Sequence, residues 1–212
     1  MNNHIPFPVM VERLEENGMP YGVIPLQNGM KILITQRGGR TFGPFLDDVS
    51  GGLLWTNGAW ADRDSFKAFL DSGHWNLGGD RMWIAPELQY SVTDRRDFFG
   101  SFRLQKQMDP GEYVLEKTKD FEWRLAMDIS MEAEVLAKGV KELSIQRLIH
   151  PIDDPLRALG NYDELIEGVR YAGYEQVISM REKRTDDILT EVWSLLQINP
   201  GGLLLIPAAG CV

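Results

Sequence analysis

"FEWRLAMDIS" (121–130) is the stretch that decides the fold class. Phe121, Trp123, Leu125 and Met127 alternate with Glu122, Arg124, Ala126 and Asp128. A period of two sends the first set to one side of an extended chain and the second to the other. The stretch therefore predicts a β-strand with one face buried and one wet. "EAEVLAKGVKELSIQRLIH" (132–150) continues the pattern, with Leu143, Ile145, Arg147 and Ile149 on one face and Ser144, Gln146, Leu148 and His150 on the other.

Working outward, the same signal recurs. "YGVIPL" (21–26), "MKILIT" (30–35), "GGLLWTN" (51–57), "YVLEKTKD" (113–120), "YEQVISMREK" (174–183), "ILTEVWSLLQI" (188–198) and "GLLLIP" (202–207) are short, β-rich and bounded by turn residues. Asn28-Gly29 marks a hairpin between the first two. Helical patterns are fewer. In "DRDSFKAFLDSG" (62–73), Asp62 or Asp64 can cap, Phe66, Phe69 and Leu70 share a face, and Gly73 ends the run. "FPVMVERLEENG" (7–18) predicts a short N-terminal helix, and "NYDELIEGVRY" (161–171) one or two turns. No repeat or linker breaks the chain. The expectation is all-β, an antiparallel sandwich with one or two short helices, forming a single domain over 1–212 with 1–18 as an N-terminal arm or short helix.

Composition narrows the function classes. The 212 residues are 43% hydrophobic and 25% charged, ordinary for a folded chain. A net charge of −9 with no basic run argues against binding a phosphate backbone, so no nucleic-acid partner is expected. Cys211 is the one cysteine, which excludes an intrachain disulfide and a thiolate zinc site. No metal-ligand spacing or phosphate loop is present, and adjacent Asp153-Asp154 in a Pro-flanked turn read as solvated. No cofactor is expected. The N-terminus lacks a basic-then-apolar signal, and the longest apolar run, near Pro207, is too short to span a membrane. A cytoplasmic location and no membrane partner are the expectation. That final run reads either as a strand closing a sheet or as the point where a longer chain is shortened.

Two stretches carry candidate chemistry. Arg37-Gly38-Gly39-Arg40 is a glycine turn that either leaves Arg40 solvated or aims it into a pocket. "HWNLGGDRMWIAPE" (74–87) gathers His74, Trp75, Asn76, Asp80, Arg81, Trp83 and Glu87. Aromatic faces beside paired donors and acceptors suit a sugar, whose C–H face stacks on rings while its hydroxyls take charge-assisted bonds. The competing reading is a loop in which Asp80 and Arg81 cap local backbone and the tryptophans fill core.

"GGRTFGPF", "LLWTN", "HWNLGGDRMWIAPE" and "WSLLQINPGGLLLIP" together resemble the galactose mutarotase-like superfamily, in particular its bacterial branch with a G-G-x-R-x-W-x-A-P-E signature. The resemblance runs from about residue 20 to 207. It implies a supersandwich, two large twisted antiparallel sheets facing each other with a sugar cleft over one, and it likens Gly78, Gly79 and Arg81 to the family's sugar-contacting segment. Aldose epimerases of this fold use a His as acid and a C-terminal Glu as base. This chain ends where that Glu would follow and lacks the family's Asn-His before an aromatic strand. On this reading His74 or His150 is the acid and Glu87 the base. Arg40, Trp75, Asn76, Asp80, Arg81 and Trp83 bind the substrate. The expected function is carbohydrate binding, with or without epimerase turnover. The alternative is an inactive interaction domain that self-associates through sheet edges as a homo-oligomer.

Overall fold

A computed structural model of the chain describes residues 4–206. Among these residues nine strands form two antiparallel sheets. β1 (Tyr21–Pro25), β2 (Lys31–Thr35), β3 (Arg40–Phe45), β4 (Asp80–Ala85) and β9 (Glu191–Leu196) lie in that order in one sheet. β5 (Val114–Lys119), β6 (Glu122–Ala133), β7 (Gly139–Pro151) and β8 (Tyr174–Glu182) make the other. The helices are α1 (Phe7–Glu16), α2 (Arg63–Asp71) and the single turns α3 (Glu87–Tyr90) and α4 (Tyr162–Leu165). The architecture is an all-β antiparallel sandwich with short helices. None of the described helices is long and apolar enough to cross a membrane.

The four-stranded sheet follows the alternation its sequence announces. Leu125, Met127, Ile129 and Met131 of β6 are buried, and Leu143, Ile145 and Ile149 of β7 join them. These side chains meet Ile24, Ile32, Ile34, Met82 and Ile84 of the first sheet in one apolar core. Asp128, Ser144, Gln146 and His150 take the opposite face, against solvent. Phe121 is the exception to the expected strand. It sits in the β5–β6 turn with φ +63° and is exposed.

The five-stranded sheet is covered on both sides. Leu33, Phe42 and Phe45 face a second cluster made with Met10 and Leu14 of α1, Trp60, Phe66 of α2 and Leu77. α2 forms as its capping pattern requires: the Asp62 side chain accepts from the Ser65 N–H at 2.9 Å. Phe66 is fully buried, and its burial contributes on the order of 2–3 kcal/mol. Because both faces of β3 are buried, "RTFGPF" shows no alternation and reads as a strand only in three dimensions.

Two expected strands are corrected. "GGLLWTN" forms no strand; Gly51, Gly52, Leu54 and Thr56 make single bridges to Pro6, Phe45, Ile198 and Gly78 in turn, so its backbone is shared among four partners. Residues 202–206 form no strand either, and Leu203–Ile206 are exposed. Pro207 and Cys211 lie outside the described residues. The Asn28-Gly29 hairpin joins β1 to β2, with both residues at positive φ.

Candidate functional site

The glycine turn between β2 and β3 sends its two arginines to different places. Arg40 points inward and is 1% exposed. Its Nη2 donates to Asp109 Oδ2 at 2.6 Å and to the Trp75 carbonyl at 2.9 Å, and its Nη1 donates to the Gly78 carbonyl at 2.6 Å. The guanidinium thus pins the 75–78 backbone to the loop that carries Asp109. Position 78 requires glycine, because a Cβ there would sit 2.2 Å from the Trp55 carbonyl oxygen, at a φ of +96°.

Successive residues of β4 face opposite sides and extend the network two ways. Arg81 and Trp83 share one side. Trp83 Nε1 donates to Asp109 Oδ2 at 3.0 Å, and Arg81 Nε lies 3.6 Å from the same oxygen. The Arg81 guanidinium stacks over Trp83 at 4.7 Å and Trp75 at 5.1 Å and donates to Gln197 Oε1 at 2.8 Å. Trp193 of β9 closes edge-on against Trp83. Asp80 takes the other side and meets Arg147 of β7, 3.4 Å away, with Gln176 of β8 bonded to both. Arg147 also donates to the Gly39 carbonyl, so the turn is held from both sheets.

Three arginines and two aspartates are therefore buried together. Asp80 Oδ1, Asp109 Oδ1 and the Tyr113 hydroxyl are buried without a hydrogen-bond partner. Burial and the neighbouring Arg40 lower the Arg81 guanidinium to about 10, which leaves it charged at neutral pH. Burial lowers Arg40 too, against the pull of Asp109. Burial pushes the Asp109 carboxyl up, against Arg40 and the Trp83 N–H.

The expected catalytic groups do not join this network. His74 is exposed and stacks on Phe69 at 5.6 Å. Glu87 opens α3 beyond the far end of β4, roughly 20 Å along the strand from Asp80 at ~3.3 Å per residue; burial raises its carboxyl. His150 lies on the outer face of the four-stranded sheet, paired with Glu175 at 3.2 Å. An acid and a base acting on one sugar ring must flank it, and these three side chains occupy three separate places. Of the expected sugar contacts, Arg40, Asp80, Arg81 and Trp83 are closed from solvent. Trp75 and Asn76 are half-buried, and Asn76 Oδ1 accepts from the Gly78 N–H at 3.2 Å.

An open cleft of about 520 Å³ lies on the outer side of the same turn. Arg37, Leu70 and Gly73 at the end of α2, Lys106, Gln107, Pro110, Glu112, and Met127–Ser130 of β6 line it. Arg37 Nη2 donates to the His74 carbonyl at a long 3.4 Å, its Nε is buried without a partner, and among the described residues it makes no ion pair. Burial lowers its pKa, opposed by Asp109 and Glu112. Sequence reasoning overlooked Asp109, Arg147 and Arg37. Arg147 carried a signal, a lone cation in the otherwise apolar row 143, 145, 149. Asp109 carried none, being one acid in a loop far along the chain. Among the described residues no group of His, Cys, Asp or Glu is placed to hold a metal ion. Set against protein families, curated proteins and solved structures, the chain matches none.

Proposed function

We propose that this chain is a carbohydrate-binding domain, and that the sugar occupies the cleft between the Arg37 turn, the 106–112 loop and β6. The lining of that cleft is the observation that carries the reading. Arg37 and Lys106 donate, Glu112 and Asp128 accept, Gln107 and Ser130 do both, and Leu70 and Pro110 supply apolar surface. A pyranose needs that combination, since its hydroxyls alternate with C–H faces. A volume of about 520 Å³ falls in the range of small-molecule sites, ~300–1,000 Å³. The buried arginine network then acts as scaffold. Arg40 and Arg147 hold the turn, and Asp109 holds the loop, so both walls are fixed before ligand arrives.

The separation of His74, Glu87 and His150 supports binding without turnover. Calorimetric titration of the chain with mono- and disaccharides tests the reading, with polarimetry on the same sugars. Saturable binding without faster anomer interconversion is the expected result. No heat from any sugar at tens of millimolar would overturn the binding, and accelerated interconversion would overturn the passive role.

One observation favours a second reading, an interaction domain. Leu203, Leu204, Leu205 and Ile206 are 84%, 63%, 76% and 77% exposed in succession, a few residues after the edge strand β9 in the chain. A continuous apolar run of that kind on a monomer is uncommon, and an unpaired edge recruits partners. Sedimentation velocity separates the readings: a concentration-dependent dimer that Leu204→Asp abolishes supports the second, and a monomer throughout removes it.

A further inference from the structure

The balance of charge around the cleft says which sugars it favours. The chain carries a net charge of −9, yet cations gather here. Arg37 and Lys106 line the cleft, and it runs on along β6 and β7 into a second hollow that shares Glu112, Met127 and Asp128 and ends at Arg181. Among the described residues none of these three cations is in an ion pair. The carboxylates count for less than their number suggests. Asp128 is already neutralised, accepting from Lys183 at 2.7 Å and from Ser144 at 2.6 Å. Those bonds hold its carboxyl below the usual range. Glu112 is exposed and, among the described residues, in no ion pair; it acts on Arg37 only from a distance and leaves the guanidinium fork open.

Arg37 itself is the second observation. A guanidinium presents five N–H donors in a plane, suited to two parallel bonds with a carboxylate or phosphate. This one has spent a single long bond on the His74 carbonyl and has a buried Nε without a partner. Its neighbour Arg40, three residues on, has every interaction that Arg37 lacks. Asp109 and Glu112 act on Arg37 only from a distance, and a half-buried cation without a close ion pair is held at a cost that an incoming anion offsets.

Resting on the carbohydrate reading, we propose that the cleft takes an acidic sugar. Its anionic group, a carboxylate or a phosphate, seats on Arg37 with Lys106 as the second cation. The hydroxyls fall to Gln107, Ser130 and Glu112.

Titration calorimetry on the intact chain tests this with four probes: a hexose, the corresponding hexuronate, the hexose 6-phosphate, and inorganic phosphate alone. The expected result is an acidic sugar bound at least tenfold more tightly than the neutral hexose. The preference should shrink as salt is raised, because partly exposed charges are screened. In Arg37→Gln the ratio of acidic to neutral affinity should fall toward one, and Arg37→Lys should restore part of it. Hexuronate against hexose 6-phosphate shows which anion is meant. Neutral and acidic sugars binding equally would overturn the proposal and leave the carbohydrate reading standing. Phosphate binding with no sugar binding would overturn both. An unchanged ratio in Arg37→Gln, with its thermal midpoint intact, would remove Arg37 from the role.

Discussion

Arg37 and Arg40 bracket the same Gly-Gly turn, and they live in different media. Arg40 is sealed in, with three hydrogen bonds, one of them the ion pair to Asp109. Arg37 is half in solvent, with one long bond and, among the described residues, no ion pair; Asp109 and Glu112 act on it only from a distance. The pair teaches how one short turn can place two like charges in opposite states of saturation. A saturated buried charge fixes backbone, and substituting it costs stability. An unsaturated charge at a cleft adds little to the fold and is free for a ligand.

Breaking the buried side of the comparison should give the largest effects. Arg40→Gln removes the closest counter-charge of Asp109, leaving it Arg81 at 3.6 Å and the Trp83 N–H, and should cost about 3–5 kcal/mol in denaturant unfolding, a large part of an ordinary domain's stability. A loss below about 1 kcal/mol would mean that water reaches the site and that the pair is no scaffold. Arg147→Met comes next, at about 3 kcal/mol, since Asp80 keeps Gln176 as a partner. Gly39→Ala probes the turn between the two arginines. The residue has φ +53°, and a Cβ would lie 2.5 Å from the Tyr113 ring. The left-handed backbone alone costs about 1–2 kcal/mol, and the melt should fall accordingly.

The smallest effect is an acid limb away from the network. Hydrogen bonds from Ser65 hold the Asp62 carboxyl below its ordinary 3.8, and those from Lys141 and the Ile188 N–H do the same for Asp186. The unfolded chain therefore binds these protons first as pH falls. Stability from these groups is present above about 3.8 and is lost as pH drops through their lower folded values. Asp62→Ala should make that acid loss shallower, read from melts between pH 5 and pH 2; an unchanged slope would show that the cap is not responsible.

Much of the four-stranded sheet was legible in the sequence, because one of its faces is wet. The alternation in 121–130 and 143–150 placed Met127 and Ile145 inward and Asp128 and His150 outward, as the structure has them. The five-stranded sheet was harder to read, because a strand buried on both faces loses its period. β3 was passed over for that reason. "GGLLWTN" and 202–206 mislead in the opposite sense: β-rich composition does not say where the backbone bonds go, and pairing is decided by distant partners. The site divides along the same line. Trp75, Arg81 and Trp83 were found as neighbours within one stretch, and the structure keeps them together. What they surround, Asp109, arrives from a loop with no local signature. Chemistry of the residues suggested ligand contact for Arg40 and Arg81, which the structure buries; Arg37, named in the same turn but given no role, is the one left half-exposed.

The division of labour at the turn is tested most directly by a ligand-induced thermal shift on Arg37→Gln, measured with and without a hexuronate. The expected result is a midpoint equal to that of the parent chain without ligand, within about 1 °C, and no rise with ligand where the parent chain rises by several degrees. A lowered midpoint without ligand would contradict the comparison by making Arg37 structural, and a full ligand-induced rise would contradict it by making Arg37 a bystander.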